Sequence, residues 1–97
     1  MRVVALKRLR DFWERGHADA EGLLRAWYKV AEDANWSGFA DVRRDFPSAD
    51  QVGDKLIFNI RGNAYRLVVA VDYVRKGLLI KWLGTHAEYD RLDIEDL

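Results

Sequence analysis

Between Lys55 and Thr85 three apolar-rich runs, Lys55–Arg61, Tyr65–Tyr73 and Leu78–Thr85, are separated only by turn signals. Gly62-Asn63 fits a two-residue hairpin turn, because both residues tolerate positive φ, and Arg75-Lys76-Gly77 fits the second turn. Connections this short force antiparallel neighbours, so this half of the chain reads as a meander that needs cover on its apolar face. The preceding residues supply that cover. Leu6, Leu9, Phe12 and Trp13 recur at helical spacing and Gly16 is a natural stop. Ala20, Leu23, Leu24, Trp27, Val30, Ala31 and Ala34 trace one face of a second helix beginning near Ala18 or Asp19. Ser37 is placed to cap a short third helix through about Arg44, and Pro47 enforces an end. Met1–Val4 has the makings of a short first strand. The expectation is an α+β domain of two to three N-terminal helices packed on a small three- to four-stranded antiparallel sheet. It forms a single domain over residues 1–97.

Size and composition narrow the function classes. A chain of 97 residues buries about 65% of its unfolded surface, enough for one core without staples. The absence of cysteine excludes disulfides and thiolate metal sites. No apolar run approaches the ~20 residues of a membrane span, and the N-terminus has too short an apolar stretch for a signal peptide. The expectation is a soluble, cytoplasmic protein with no membrane partner. Two distant histidines, without clustered acids, indicate no metal and no cofactor.

Sixteen basic and sixteen acidic residues cancel overall, but their distribution is uneven. Between residues 55 and 86 six basic side chains face a lone Asp72, whereas residues 87–97 carry five acids and only Arg91. Such a local field attracts anions even on a neutral protein.

Pairing Asn59 with Arg66 and Ile57 with Val68 in the first hairpin, then Val71 with Ile80 and Val69 with Trp82 in the second, segregates the side chains. One face becomes almost wholly apolar, with Leu56, Phe58, Tyr65, Leu67, Ile80 and Trp82. The other carries Lys55, Asn59, Arg61, Arg66, Lys81 and Thr85, with Asp72 as its one acid. In this register Asn59, Arg66 and Thr85 are neighbours across three strands, next to His86. The plain alternative is the wet face that antiparallel sheets commonly present. A purely solubilising face would mix its signs more evenly, so this one reads as an anion cradle.

Metal-free RNA cleavage needs a base for the ribose 2′-OH, cations at the phosphorus and an acid at the leaving oxygen. His86 has the chemistry of a base or acid, and Tyr89, three residues on, shares its face in a helical turn. Arg61, Arg66 and Lys81 have the charge to bind phosphate, with Asn59, Lys55 and Thr85 as further polar contacts. His17, at a helix junction, reads as structural.

The hairpin Asn59-Ile60-Arg61-Gly62-Asn63-Ala64-Tyr65-Arg66 and the segment Gly84-Thr85-His86-Ala87-Glu88-Tyr89-Asp90 together resemble the HigB toxins of bacterial toxin–antitoxin modules. Asp11-Phe12-Trp13-Glu14, Ala26-Trp27-Tyr28 and Phe46-Pro47-Ser48-Ala49-Asp50 extend the resemblance over nearly the whole chain. It implies a RelE-like fold and an mRNA endoribonuclease (mRNA interferase) that typically acts on ribosome-bound message. Cleavage would proceed by 2′-OH attack, leaving a 2′,3′-cyclic phosphate. The implied partner is a HigA-type helix-turn-helix antitoxin. His86, Arg66, Lys81 and Tyr89 would be the catalytic residues, and Arg61, Asn59, Lys55 and Thr85 the RNA- and phosphate-binding ones. Arg61 stands where the family often has lysine, which keeps the charge but not a titratable amine. The competing function is a non-catalytic toxin-like module that binds an antitoxin or nucleic acid. A sequence-specific DNA binder finds no basic recognition helix to support it. The acidic tail from Glu88 to Asp96 suggests a flap that folds over the basic face.

Overall fold

The computed structural model describes all residues, 1–97. Strands β1 (Arg2–Val4), β2 (Asp50–Val52), β3 (Lys55–Ile60), β4 (Tyr65–Asp72) and β5 (Gly77–Thr85) form one sheet in the order β1-β5-β4-β3-β2. Helices α1 (Lys7–Glu14), α2 (Glu21–Asp33) and α3 (Phe39–Asp45) lie between β1 and β2 in sequence, and α4 (His86–Tyr89) follows β5 directly. No helix is long and apolar enough to cross a membrane.

The α+β class and the helices-then-meander order agree with the sequence reading. The sheet is larger than expected and is not purely antiparallel. It has five strands, because the short β2 pairs antiparallel with β3 and β1 pairs parallel with β5. A parallel partner requires a long crossover, here supplied by the helices. The third helix also begins differently. Gly38 is its N-cap, and the Asp41 carboxylate accepts a hydrogen bond from the Ser37 backbone N–H at 2.8 Å.

Alternation along the strands sends Leu56, Phe58, Ile60, Tyr65, Leu67, Val69, Leu78 and Ile80 to one face, where they meet Leu9, Leu24, Trp27, Ala31, Trp36 and Val42 in a single core. Phe58 is its aromatic centre, with ring centroids 5.4 Å from Trp27 and 5.0 Å from Phe46. The core face thus anchors the meander and leaves the opposite, outer face to function.

The first hairpin pairs as expected, with Asn59 opposite Arg66 and Ile57 opposite Val68. The second does not. Val71 pairs with Leu78 and Val69 with Ile80, displaced by two residues from the expected register. Gly77 is already in the strand, opposite Asp72, so the turn is longer than Arg75-Lys76-Gly77 suggests. A bulge at Lys81 then changes the register again, so that Trp82 pairs with Val68 and Gly84 with Arg66. A two-residue displacement preserves facing, but the bulge adds a single residue and exchanges the faces beyond it. Trp82 consequently leaves the core side for the outer face. Leu83 packs against the core, and Thr85 pairs with Tyr65 instead of joining Asn59 and Arg66.

Candidate functional site

Three strands and one helical turn build the outer-face site. Arg66 is its centre. The residue is only 8% exposed, and its guanidinium donates to the Tyr65 carbonyl at 3.3 Å and to Asn63 Oδ1 at 3.1 Å. No carboxylate forms an ion pair with it. An arginine withdrawn from water without a counter-ion is held at an energetic cost, because burial of an uncompensated charge is unfavourable. The neutral partners Asn63 and Tyr65 fix its orientation and leave its charge uncancelled. Two of its five N–H donors are thus committed, which leaves three in a fixed geometry.

Tyr89 covers this position. The Arg66 guanidinium carbon lies 5.9 Å from its ring centroid, within cation–π range, and the Trp82 ring centroid lies 6.3 Å from that of Tyr89, with the planes tilted by 49°. Burial raises the Tyr89 phenol above its ordinary pKa, with Arg66 acting in the opposite direction. The phenol is therefore protonated at neutral pH, and its hydroxyl is not sealed from solvent.

The turn that carries Tyr89 is fixed by a capping box. Thr85 Oγ1 accepts from the Glu88 backbone N–H at 3.2 Å, and Glu88 Oε1 accepts from the Thr85 N–H at 2.8 Å. The Thr85 backbone and hydroxyl lower the Glu88 carboxyl pKa. His86, the first residue of this turn, is half-exposed. Its Nε2 lies 3.7 Å from Asp90 Oδ2, and its backbone N–H donates to the Ala64 carbonyl at 3.1 Å. Neither a hydrogen bond nor an ion pair joins His86 to Arg66.

The other cations divide sharply. Lys81, at the bulge, is half-buried and makes no ion pair, although its charge helps to lower the Asp54 pKa. Lys55 is buried on the same face but is held by Asp54 at 2.8 Å. Arg61 does not join the site. Its φ of +54° takes it out of the strand, and its guanidinium pairs with Asp19 Oδ2 at 3.2 Å beside the helices. Asp19 also accepts a hydrogen bond from the Tyr65 hydroxyl at 2.7 Å. Asn59 remains on the outer face, its side chain donating to the Ser48 carbonyl at 3.5 Å. Thr85 acts on the fold of the turn, since its hydroxyl is committed to the cap.

The structure thus brings Arg66, Lys81 and Tyr89 to one face, sets His86 at its rim, and leaves Arg66 and Lys81, among the cations proposed for this face, without ion-pair partners. Sequence reasoning missed Asn63 as the Arg66 orienter and Trp82 as an outer-face residue. Asn63 was visible only as a turn former. Trp82 was hidden by the bulge, which no local sequence signal marks. No group of three or more His, Asp or Glu is arranged to hold a metal ion. The acidic tail does not form an ion-paired flap: Asp90 turns to His86, and an aromatic ring covers Arg66.

Residues 20–92 match the family model for the HigB toxin, described as the RelE-like toxic component of a toxin–antitoxin system. The chain is also similar to the mRNA interferase HigB of Escherichia coli O6:H1. The two are 28% identical over 72 residues, covering 71% of this chain and 70% of that protein. Every residue of the outer-face site falls inside the family match.

Proposed function

This chain belongs to the HigB toxin family, the RelE-like toxic components of toxin–antitoxin systems, and from that premise we propose that it is an endoribonuclease that cuts mRNA and so arrests translation. The observation that carries the reading is Arg66, a buried guanidinium without a counter-ion on the face built around it. A phosphodiester supplies the missing negative charge, and the reaction increases that charge as phosphorus becomes five-coordinate. A preorganised cation is most valuable where charge develops.

In the proposed step Arg66 binds the non-bridging oxygens of the scissile phosphate, and Lys81 supplies a second positive charge. The ribose 2′-OH gives its proton to the His86 imidazole, whose Nε2 lies 3.7 Å from the Asp90 carboxylate. The 2′-oxygen bonds to phosphorus, the bond from phosphorus to the 5′-oxygen breaks, and that oxygen takes a proton from the Tyr89 phenol. The products are a 2′,3′-cyclic phosphate and a 5′-hydroxyl. Tyr89 takes the acid role because its phenol carries a proton at neutral pH; burial raises its pKa, which preserves that proton and also makes it slower to leave. All these groups belong to the chain, and the step is proposed to proceed without a metal.

The family implies an antitoxin partner, which we infer to be a helix-turn-helix protein of the HigA type, and we infer that message is cut on the ribosome. The test incubates purified protein with end-labelled mRNA, free in excess EDTA and on ribosomes in Mg²⁺ buffer, and analyses the new 3′ ends by mass spectrometry. Cyclic phosphate ends in either arm support the reading. Cleavage that leaves 3′-hydroxyl ends would overturn the mechanism. No cleavage under any condition would favour a non-catalytic module that binds antitoxin or nucleic acid.

A further inference from the structure

β1 covers only Gly77–Leu79 of β5, so the rest of that edge has no strand neighbour. Helix α1 lies against it instead. Arg8, Asp11, Phe12 and Arg15 follow the i, i+3, i+4, i+7 spacing of one helical face. Together with His17 and Trp82 they enclose a cleft of about 330 Å³.

The electrostatics of this cleft are one-sided. Arg8 and Arg15 are exposed and make no ion pair. Asp11, its one carboxylate, is held by Lys7 Nζ at 3.1 Å, a hydrogen bond that is the main cause of its lowered pKa. Glu88, whose charge is felt from the neighbouring turn, is committed to the Thr85 N–H. His17 is held in place: its Nδ1 donates to the Phe12 carbonyl at 3.2 Å, and its ring stacks on Phe12 with centroids 4.0 Å apart and 3° between planes. The Nε2 edge has no partner. Trp82 lines the cleft and also faces Tyr89 on the outer face, so the cleft and the Arg66 site share a wall.

We propose that this cleft is a second RNA-binding subsite, holding the backbone phosphate of a nucleotide that flanks the cut. Arg8 and Arg15 engage the phosphate, His17 Nε2 accepts a hydrogen bond from a ribose hydroxyl at its rim, and Trp82 offers a stacking surface where the strand passes from one site to the other. The proposal rests on the reading of the outer face as an RNA-cutting site. Its charged residues and His17 lie in α1 and the following turn, outside the segment 20–92 that matches the family, whereas Trp82 lies inside it.

The test is equilibrium binding of a single-stranded RNA decamer over a range of salt, which requires no cleavage. The Arg8→Gln/Arg15→Gln variant is compared with wild type and with Arg10→Gln/Arg25→Gln, an equal change of charge at residues already paired with Glu14 and Glu21. Loss of this phosphate site should weaken binding roughly 10-fold or more and reduce the salt slope by about 0.7. The control variant should change both far less, and the His17 ring resonance should move on RNA addition in wild type but not in the Arg8/Arg15 variant. Equal losses in both double variants would overturn the subsite, as would unchanged RNA binding. Loss of antitoxin binding with RNA affinity intact would also overturn it and make the cleft a protein interface. Cleavage by wild type is measured separately, so failure of the subsite and failure of the nuclease reading give different results.

Discussion

Replacing Gly84 with Ala probes the link between strand register and the outer-face site. A Cβ on Gly84 would lie 2.5 Å from two Trp82 ring atoms, Cζ2 and Cη2, and 3.1 Å from Glu88 Oε1. Ordinary carbon–carbon contact is about 3.5–4.0 Å, so the overlap is roughly 1–1.5 Å. Overpacking of this kind costs about 1–3 kcal/mol, and removal of a strand glycine returns roughly 0.5–1 kcal/mol. The net expectation is a loss of about 0.5–2 kcal/mol. The relief available is rotation of the partly exposed indole, which would separate Trp82 from Tyr89. Unfolding in urea measures the stability, and near-ultraviolet circular dichroism reports the Trp82–Tyr89 environment. Gly77→Ala is the control: Gly77 occupies the same strand and a Cβ there meets nothing within 4 Å. If Gly84→Ala leaves stability and aromatic dichroism indistinguishable from Gly77→Ala, Trp82 does not lie over Gly84 and the aromatic wall it forms with Tyr89 is not as the structure places it.

Thr85→Ala removes half of the capping box and should cost about 1 kcal/mol, read as a lower urea midpoint. The lowered Glu88 pKa gives this contact a sign with pH. Its stabilisation is complete above the carboxyl's unfolded pKa and fades as pH falls through the lower folded value, so the stability gap between wild type and Glu88→Gln should narrow in acid. Tyr65→Phe loses the 2.7 Å hydrogen bond to Asp19 and should cost about 0.5–1.5 kcal/mol in urea unfolding, with the Arg66 site intact. Gly22→Ala, in α2 where a Cβ meets nothing within 4 Å, should raise stability by about 0.5–1 kcal/mol in the same experiment.

Local patterning made the helices, the first hairpin and the Asn59–Arg66 pairing legible. The turn at Gly62-Asn63 fixes that register over a few residues, and a slip would turn charge inward. The second hairpin was harder to read because Gly77 resembles a turn residue while pairing with Asp72 in the strand. The bulge at Lys81 depends on how Trp82 packs against its neighbours, so Trp82 and Thr85 exchanged faces without warning. The β1–β5 pairing joins residues near opposite ends of the chain, and nothing local announces it. Residue types proposed for the chemistry were visible as a set, but their charge states were not. Only the folded structure shows that the distant Asp19 occupies Arg61 and the adjacent Asp54 occupies Lys55, leaving Arg66 and Lys81 without ion-pair partners.

Arg66 therefore carries the central claim, and the most direct measurement is single-turnover cleavage of ribosome-bound mRNA by Arg66→Met beside wild type, in Mg²⁺ buffer that keeps the ribosomes intact. Methionine keeps much of the buried length and removes the charge. A phosphate site centred on this guanidinium predicts a rate at least ~100-fold lower, with the urea midpoint showing that the fold persists. A folded Arg66→Met protein that cuts RNA within about threefold of the wild-type rate, a change worth less than 1 kcal/mol in the barrier, would contradict the account.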